Sequence, residues 1–146
     1  MKRLAIIAVC FATLAMSSCG VLNSSSNSAA QALGQTCGAA VLGLYQSYKS
    51  TGSLSLTSGN NLTNALALAT AYTQLSQNKD NSEYRKSFTN GLILSSDGLI
   101  TNQNSAAFVN ALLGTSALGT VNNNSSSSQM SKTTPAVTGL IKTLDR

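Results

Sequence analysis

Between Arg3 and Lys49 the chain carries no charged residue, so this long neutral stretch must either enter a membrane or be packed within a protein. Across Ala29 to Tyr48, the residues Leu33, Cys37, Ala40, Val41, Leu44 and Tyr48 recur three and four apart, one stripe of a 3.6-residue repeat. Gly34, Gly38 and Gly43 accompany the stripe. Gly34 and Gly38 form a GxxxG pair, which in a bilayer lets two helices approach closely. Gln31, Gln35, Thr36, Gln46 and Ser47 interrupt the run, however, and it lacks the 18 or more consecutive apolar residues of a span. A core helix is the better reading, with a membrane-inserting or self-associating glycine helix as the alternative. Each glycine costs about 1 kcal/mol of helix propensity relative to alanine, so close packing against a second backbone should offset that cost.

The same periodicity marks further helices. Lys49 to Asn60 reads as a loop in which Leu54 and Leu56 alternate with serines, as in a short extended piece. Leu62 to Gln77, capped by Asn60 or Asn61, carries Leu62, Ala65, Leu66, Ala69, Tyr72 and Leu75 on one face, widened by Leu68. Asp80 with Glu83 three residues on forms a capping-box pattern before a third helix bearing Tyr84, Phe88, Gly91 and Leu92. That helix either runs to about Ser95 or breaks at Asn90-Gly91. A break would leave Leu92–Leu94 and Leu99–Thr101 as a small hairpin around Asp97-Gly98. The longer helix is preferred. Asn102 or Asn104 caps a fourth helix with Ala107, Phe108, Ala111 and Leu112 inward and Gly114 near its stop. Residues 121–131, rich in asparagine and serine, read as a mobile loop. Thr134 and Pro135 then open a last helix as cap and first helical residue, with Val137, Leu140, Ile141 and Leu144 as its stripe. The expected fold is all-α: one domain over residues 29–146, a small bundle of about four to five helices, with the hairpin near residues 92–101 as a variant.

The first 20 residues carry an address. Lys2 and Arg3 precede an apolar run from Leu4 to Ala15, followed by Met16, Ser17, Ser18 and Cys19. Cations, an apolar core and a small-residue exit make a secretory signal peptide. The run of about 12 residues rises only about 18 Å as a helix, short of the roughly 30 Å hydrocarbon core. A cysteine directly after the small residues resembles the lipobox of bacterial lipoproteins. The resemblance implies cleavage after Ser18 and a diacylglyceryl and acyl lipid on Cys19. Residue 20 is Gly rather than the Asp that retains enterobacterial lipoproteins at the inner membrane, which implies the outer membrane, on its periplasmic face. Residues 19–28 would be a lipidated, flexible polar tether.

Cleavage leaves about 128 residues, enough for one modest core. Only 9 % of the chain is charged and the net charge is +5, two of those cations belonging to the leader. A nucleic-acid partner is thus not expected. With Cys10 discarded and Cys19 lipidated, Cys37 stands alone on an apolar face and reads as a buried structural thiol. Histidine is absent, and no zinc, calcium, P-loop or dinucleotide pattern occurs. No cofactor is expected beyond the lipid. Three candidates for chemistry remain. Lys79, Asp80, Glu83, Arg85 and Lys86 hold nearly half the charges of the mature chain and form the best partner patch, although a solvated helix face is the preferred reading, since mixed-sign clusters at helix ends mostly serve capping and solubility. Asp80 and Glu83 could act as a hydrolytic carboxylate pair, but capping is the simpler role. Tyr45, Tyr48, Tyr72 and Tyr84 could form a sugar platform if exposed together, and packing is the simpler role for them too. The expectation is a non-enzymatic binding or structural protein of the bacterial envelope.

Overall fold

A computed structural model describes residues 26–57, 59–121 and 126–145. The leader, Cys19 and the first part of the tether lie outside the described residues. Five α-helices follow in order: α1 (Ser26–Thr51), α2 (Gly59–Gln77), α3 (Ser82–Ser95), α4 (Ser105–Gly114) and α5 (Ser127–Lys142), with a 3-10 helix (Ser116–Thr120) between α4 and α5. No strand occurs among the described residues, and the fold is a small all-α bundle.

Helix α1 is the spine, touching α2, α3 and α5, and its contact with α3 is the most extensive in the molecule. That contact is made backbone to backbone. A Cβ on Gly34 would run into the Phe88 carbonyl oxygen and come within 2.9 Å of the Leu92 nitrogen. One on Gly38 would lie 2.6 Å from the Leu92 carbonyl oxygen, and one on Gly91 would strike the Gln31 carbonyl. These pairs advance together along both helices, so α1 and α3 run parallel. The Ser95 hydroxyl lies within donating distance of its own Gly91 carbonyl, 3.1 Å, and of Gln35 across the seam, 2.6 Å. The GxxxG pair therefore serves packing within the domain against the Phe88 and Leu92 backbone, while Gly91 of α3 makes the reciprocal contact on Gln31 and Gln35 of α1.

Below the seam, Cys37, Val41 and Leu44 of α1 meet Leu68 and Leu75 of α2, Phe88 and Leu92 of α3, and Phe108 and Leu112 of α4 in one buried cluster. Leu54 and Leu56 are not strand-like but buried plugs of that core. In α4 the inward set is Phe108, Val109 and Leu112, whereas Ala107 faces outward.

The local differences from the sequence reading have physical causes. Helix α1 starts at Ser26, so residues 26–28 are helix rather than tether, and Asn60 and Asn61 lie inside α2 rather than capping it. The cap of α3 is Asn81, not Asp80: its side-chain oxygen accepts from the Tyr84 nitrogen at 3.1 Å. With the cap one residue later, Glu83 falls a position short of a capping box and only complements the helix dipole. The alternative hairpin at 92–101 does not form, and α3 runs to Ser95 as the preferred reading expects. Leu92–Leu94 stay in α3, and Asp97 and Gly98, at φ 51° and 79°, turn the chain so that Ile100 re-enters the core. Buried Ser96 closes that turn, its hydroxyl oxygen accepting from the Ile100 nitrogen at 3.1 Å. Asn104 occupies the cap position of α4 but spends its side chain on the turn, accepting from Thr101 N at 2.7 Å and donating to Leu99 O at 3.1 Å.

Pro135 does not open α5; it lies inside it. The upstream turns of α5 are retained because Met130 and Thr133 are buried against the bundle, at 1 % and 2 % exposure. Tertiary burial thus outweighs the backbone hydrogen bond that proline removes. Of the expected loop at 121–131, Val121 is buried, 127–131 is helical, and 122–125 lie outside the described residues.

Gly34→Leu and Gly91→Leu should each destabilise the fold by about 3 kcal/mol or more, because the atom struck is rigid backbone. Gly43→Ala, which meets only the mobile end of Asn64, should cost markedly less in urea unfolding. At the start of α3, Asn81→Ala should cost about 1 kcal/mol, and Asp80→Ala should stay within about 0.5 kcal/mol of wild type.

Candidate functional site

The face of α1 turned away from α3 carries Thr36, Ala39, Ala40, Gly43, Gln46, Ser47 and Ser50, again three and four apart. Antiparallel to it, α2 presents Asn60, Asn61, Thr63, Asn64 and Ala67. Between them runs an open groove of about 1000 Å³. Mostly short side chains on both helices leave this space, Gln46 being the longest that lines it. The Asn61 amide donates to the Ser47 hydroxyl at 3.0 Å and ties the walls together. Gly43 stands opposite the Asn64 amide, where a Cβ would lie 2.5 Å from its nitrogen. No residue lining the groove is ionisable.

The sequence reading missed this groove. It treated Gln46 and Ser47 as interruptions of an apolar stripe, and Asn60 and Asn61 as caps. The available signal was the helical spacing of small and amide residues opposite the α1 stripe.

The charged patch lies at the other end of α2. Lys79 and Asp80 occupy the turn after that helix, Glu83 and Lys86 are exposed on α3, and half-buried Arg85 reaches the Asn110 side-chain oxygen at 3.5 Å. Close in sequence, the five make no ion pair or side-chain hydrogen bond with one another among the described residues, and none lines the groove. Asp80 and Glu83 face solvent from a turn and a first helical turn. The four tyrosines form no shared platform. Tyr84 is buried in α3, Tyr72 packs on Gly119, and Tyr45 and Tyr48 are half-buried at the end of α1.

The sole ion pair among the described residues joins that end of α1 to the chain's last residues. Lys49 Nζ lies 2.9 Å from Asp145 Oδ1, which also accepts from the Tyr45 hydroxyl at 3.2 Å. The Lys49 hydrogen bond, then that of Tyr45, lowers the pKa of Asp145, and the same Lys49 bond raises that of Lys49. Both groups are open to water, so the pair positions the chain end rather than stabilising the fold.

Cys37 is sealed. Burial alone pushes its pKa up to about 12, so its thiol stays protonated at neutral pH and is neither nucleophile nor ligand there. Among the described residues no three His, Cys, Asp or Glu side chains gather as a metal site, and no helix is long and apolar enough to cross a membrane.

No family model matches the chain, and neither a curated protein nor a solved structure does.

In the folded protein Cys37 should resist iodoacetamide at neutral pH and react once urea unfolds the chain. Because its folded pKa lies above the unfolded value, the stability it contributes is complete below about pH 9 and declines as pH rises towards 12. Cys37→Ser should flatten that alkaline decline, measured by urea unfolding at stepped pH.

Proposed function

We propose that the protein is a bacterial lipoprotein held in the outer membrane by lipid on Cys19, with a non-enzymatic binding or structural role at the periplasmic face. The observation that carries this reading is the ordered leader: Lys2-Arg3, the apolar run from Leu4 to Ala15, and Ser17-Ser18 leading directly to Cys19. Two acyl signals on one residue hold firmly, whereas a single chain holds marginally. Helix α1 begins at Ser26, so six residues separate it from the lipidated cysteine. Even fully extended they reach roughly 20 Å, which keeps the bundle close to the bilayer surface.

Among the described residues the one thiol is sealed by burial. The glycine face that could drive association in a bilayer is already occupied by α3.

Cells fed labelled palmitate should yield labelled protein whose amino terminus begins at residue 19. Cys19→Ala should lose the label and appear in the carbonate-soluble fraction. An unlabelled wild type, or a Cys19→Ala variant that resists carbonate, would overturn the lipoprotein reading, and the second result would favour direct insertion of a helix.

A further inference from the structure

We infer that the groove between α1 and α2 is a binding site for neutral oligosaccharides. The chemistry of its lining selects the ligand class by what it offers and what it lacks. Its volume of about 1000 Å³ stands at the upper end of small-molecule sites, and it is open along its length, which admits a linear ligand several rings long. Twelve residues line it and none is ionisable. A phosphate, a carboxylate or a polycation would meet no counter-charge there. Ala39, Ala40, Gly43 and Ala67 give the lining its share of methyl groups and bare backbone. An acyl chain or aromatic ring would find no deep apolar cavity among them, whereas the C–H face of a pyranose can rest on them.

The amides of the lining supply the hydrogen bonds. Gln46 on α1 and Asn60 and Asn64 on α2 form no side-chain hydrogen bond with other described residues, and each amide offers both donor and acceptor atoms. Vicinal sugar hydroxyls, which also donate and accept, match such amides. Gly43 belongs to this arrangement. It costs helix propensity, and its position makes room for the Asn64 amide. Asn61 and Ser47, bonded to each other, hold the two helices in register.

A peptide fits the groove less well. Strand addition needs a sheet edge, and no strand occurs among the described residues. Helix docking needs pockets for large apolar anchors, which a lining of methyls does not provide. The groove also has no aromatic ring for a sugar to stack on, so affinity should be set by hydrogen bonds and fall on the order of a millimolar.

The test uses the full chain, purified in a detergent without a sugar headgroup and followed by amide NMR. The probes are chitotetraose, cellotetraose and an uncharged octapeptide. Saturable shifts of the Gln46, Asn60 and Asn64 side-chain amides with either sugar are expected, and with both if hydroxyls alone suffice. Shifts with chitotetraose alone would narrow the ligand to acetamido sugars. Asn64→Ala should weaken binding at least tenfold, and Ala39→Phe, at an exposed position that fills the groove, should abolish it. Both variants should retain the wild-type thermal unfolding and a protected Cys37. If Ala39→Phe does not fold, Asn64→Ala decides alone. The inference fails if neither sugar shifts the groove residues, if both variants bind like wild type, or if the octapeptide saturates the groove in their place. Lipid on Cys19 is not needed for any of these readouts, so this result and the palmitate result stand separately.

Discussion

The contact on which the structure depends is the one between the backbones of α1 and α3. Gly34, Gly38 and Gly91 remove the side chains that would otherwise hold two helices 8–10 Å apart. What replaces them is carbonyl oxygen and Cα–H at close range, together with the Ser95 hydroxyl reaching across to Gln35. Backbone contact of this kind cannot rearrange as interleaved leucines can. It sets the register of α3 on α1 to within a turn, and Phe88 and Leu92 are thereby delivered to the core beneath.

That register decides the rest of α1. With one face spent on α3 and the adjacent stripe of Cys37, Val41 and Leu44 spent on the core, a third face is left for α2. Small residues recur on it as well, but there they meet polar side chains rather than backbone, and a groove remains. The same helix is thus a tight seam on one side and an open channel on the other. The difference lies in what faces the small residues: the Phe88 and Leu92 backbone in one case, the Asn64 amide in the other. At its far end, the Lys49 and Asp145 pair brings the close of the chain to the close of α1, a contact that orients without adding much stability.

Legibility differed by element. The helices with clear apolar periodicity, α1, α2 and the later part of α5, could be read from spacing because a buried stripe is a local pattern. The close packing of Gly34 and Gly38 was also readable, since three glycines in one helix need compensation. Boundaries were less readable. Asp80 and Asn81 are both good caps, and which one is used depends on where α3 docks. Pro135 is a strong signal to start a helix, yet burial of Met130 and Thr133 extends α5 upstream of it. Asp97-Gly98 has the chemistry of a hairpin turn, and the α3 seam keeps Leu92–Leu94 helical instead. The groove has no local signature, because its lining amides, hydroxyls and small residues come from two helices and none carries a charge.

By itself the sequence determined the all-α class, the apolar faces of the main helices and the inert, buried state of Cys37. Each follows from spacing along a single segment, and spacing survives without knowledge of neighbours. Tertiary structure alone decided that the GxxxG pair meets the Phe88 and Leu92 backbone of α3, that Asn81 caps α3, that α5 runs through Pro135, and that α1 and α2 leave a groove between them. Each of those outcomes turns on which two segments meet, and the free energy that selects among them is released only when distant residues are buried together.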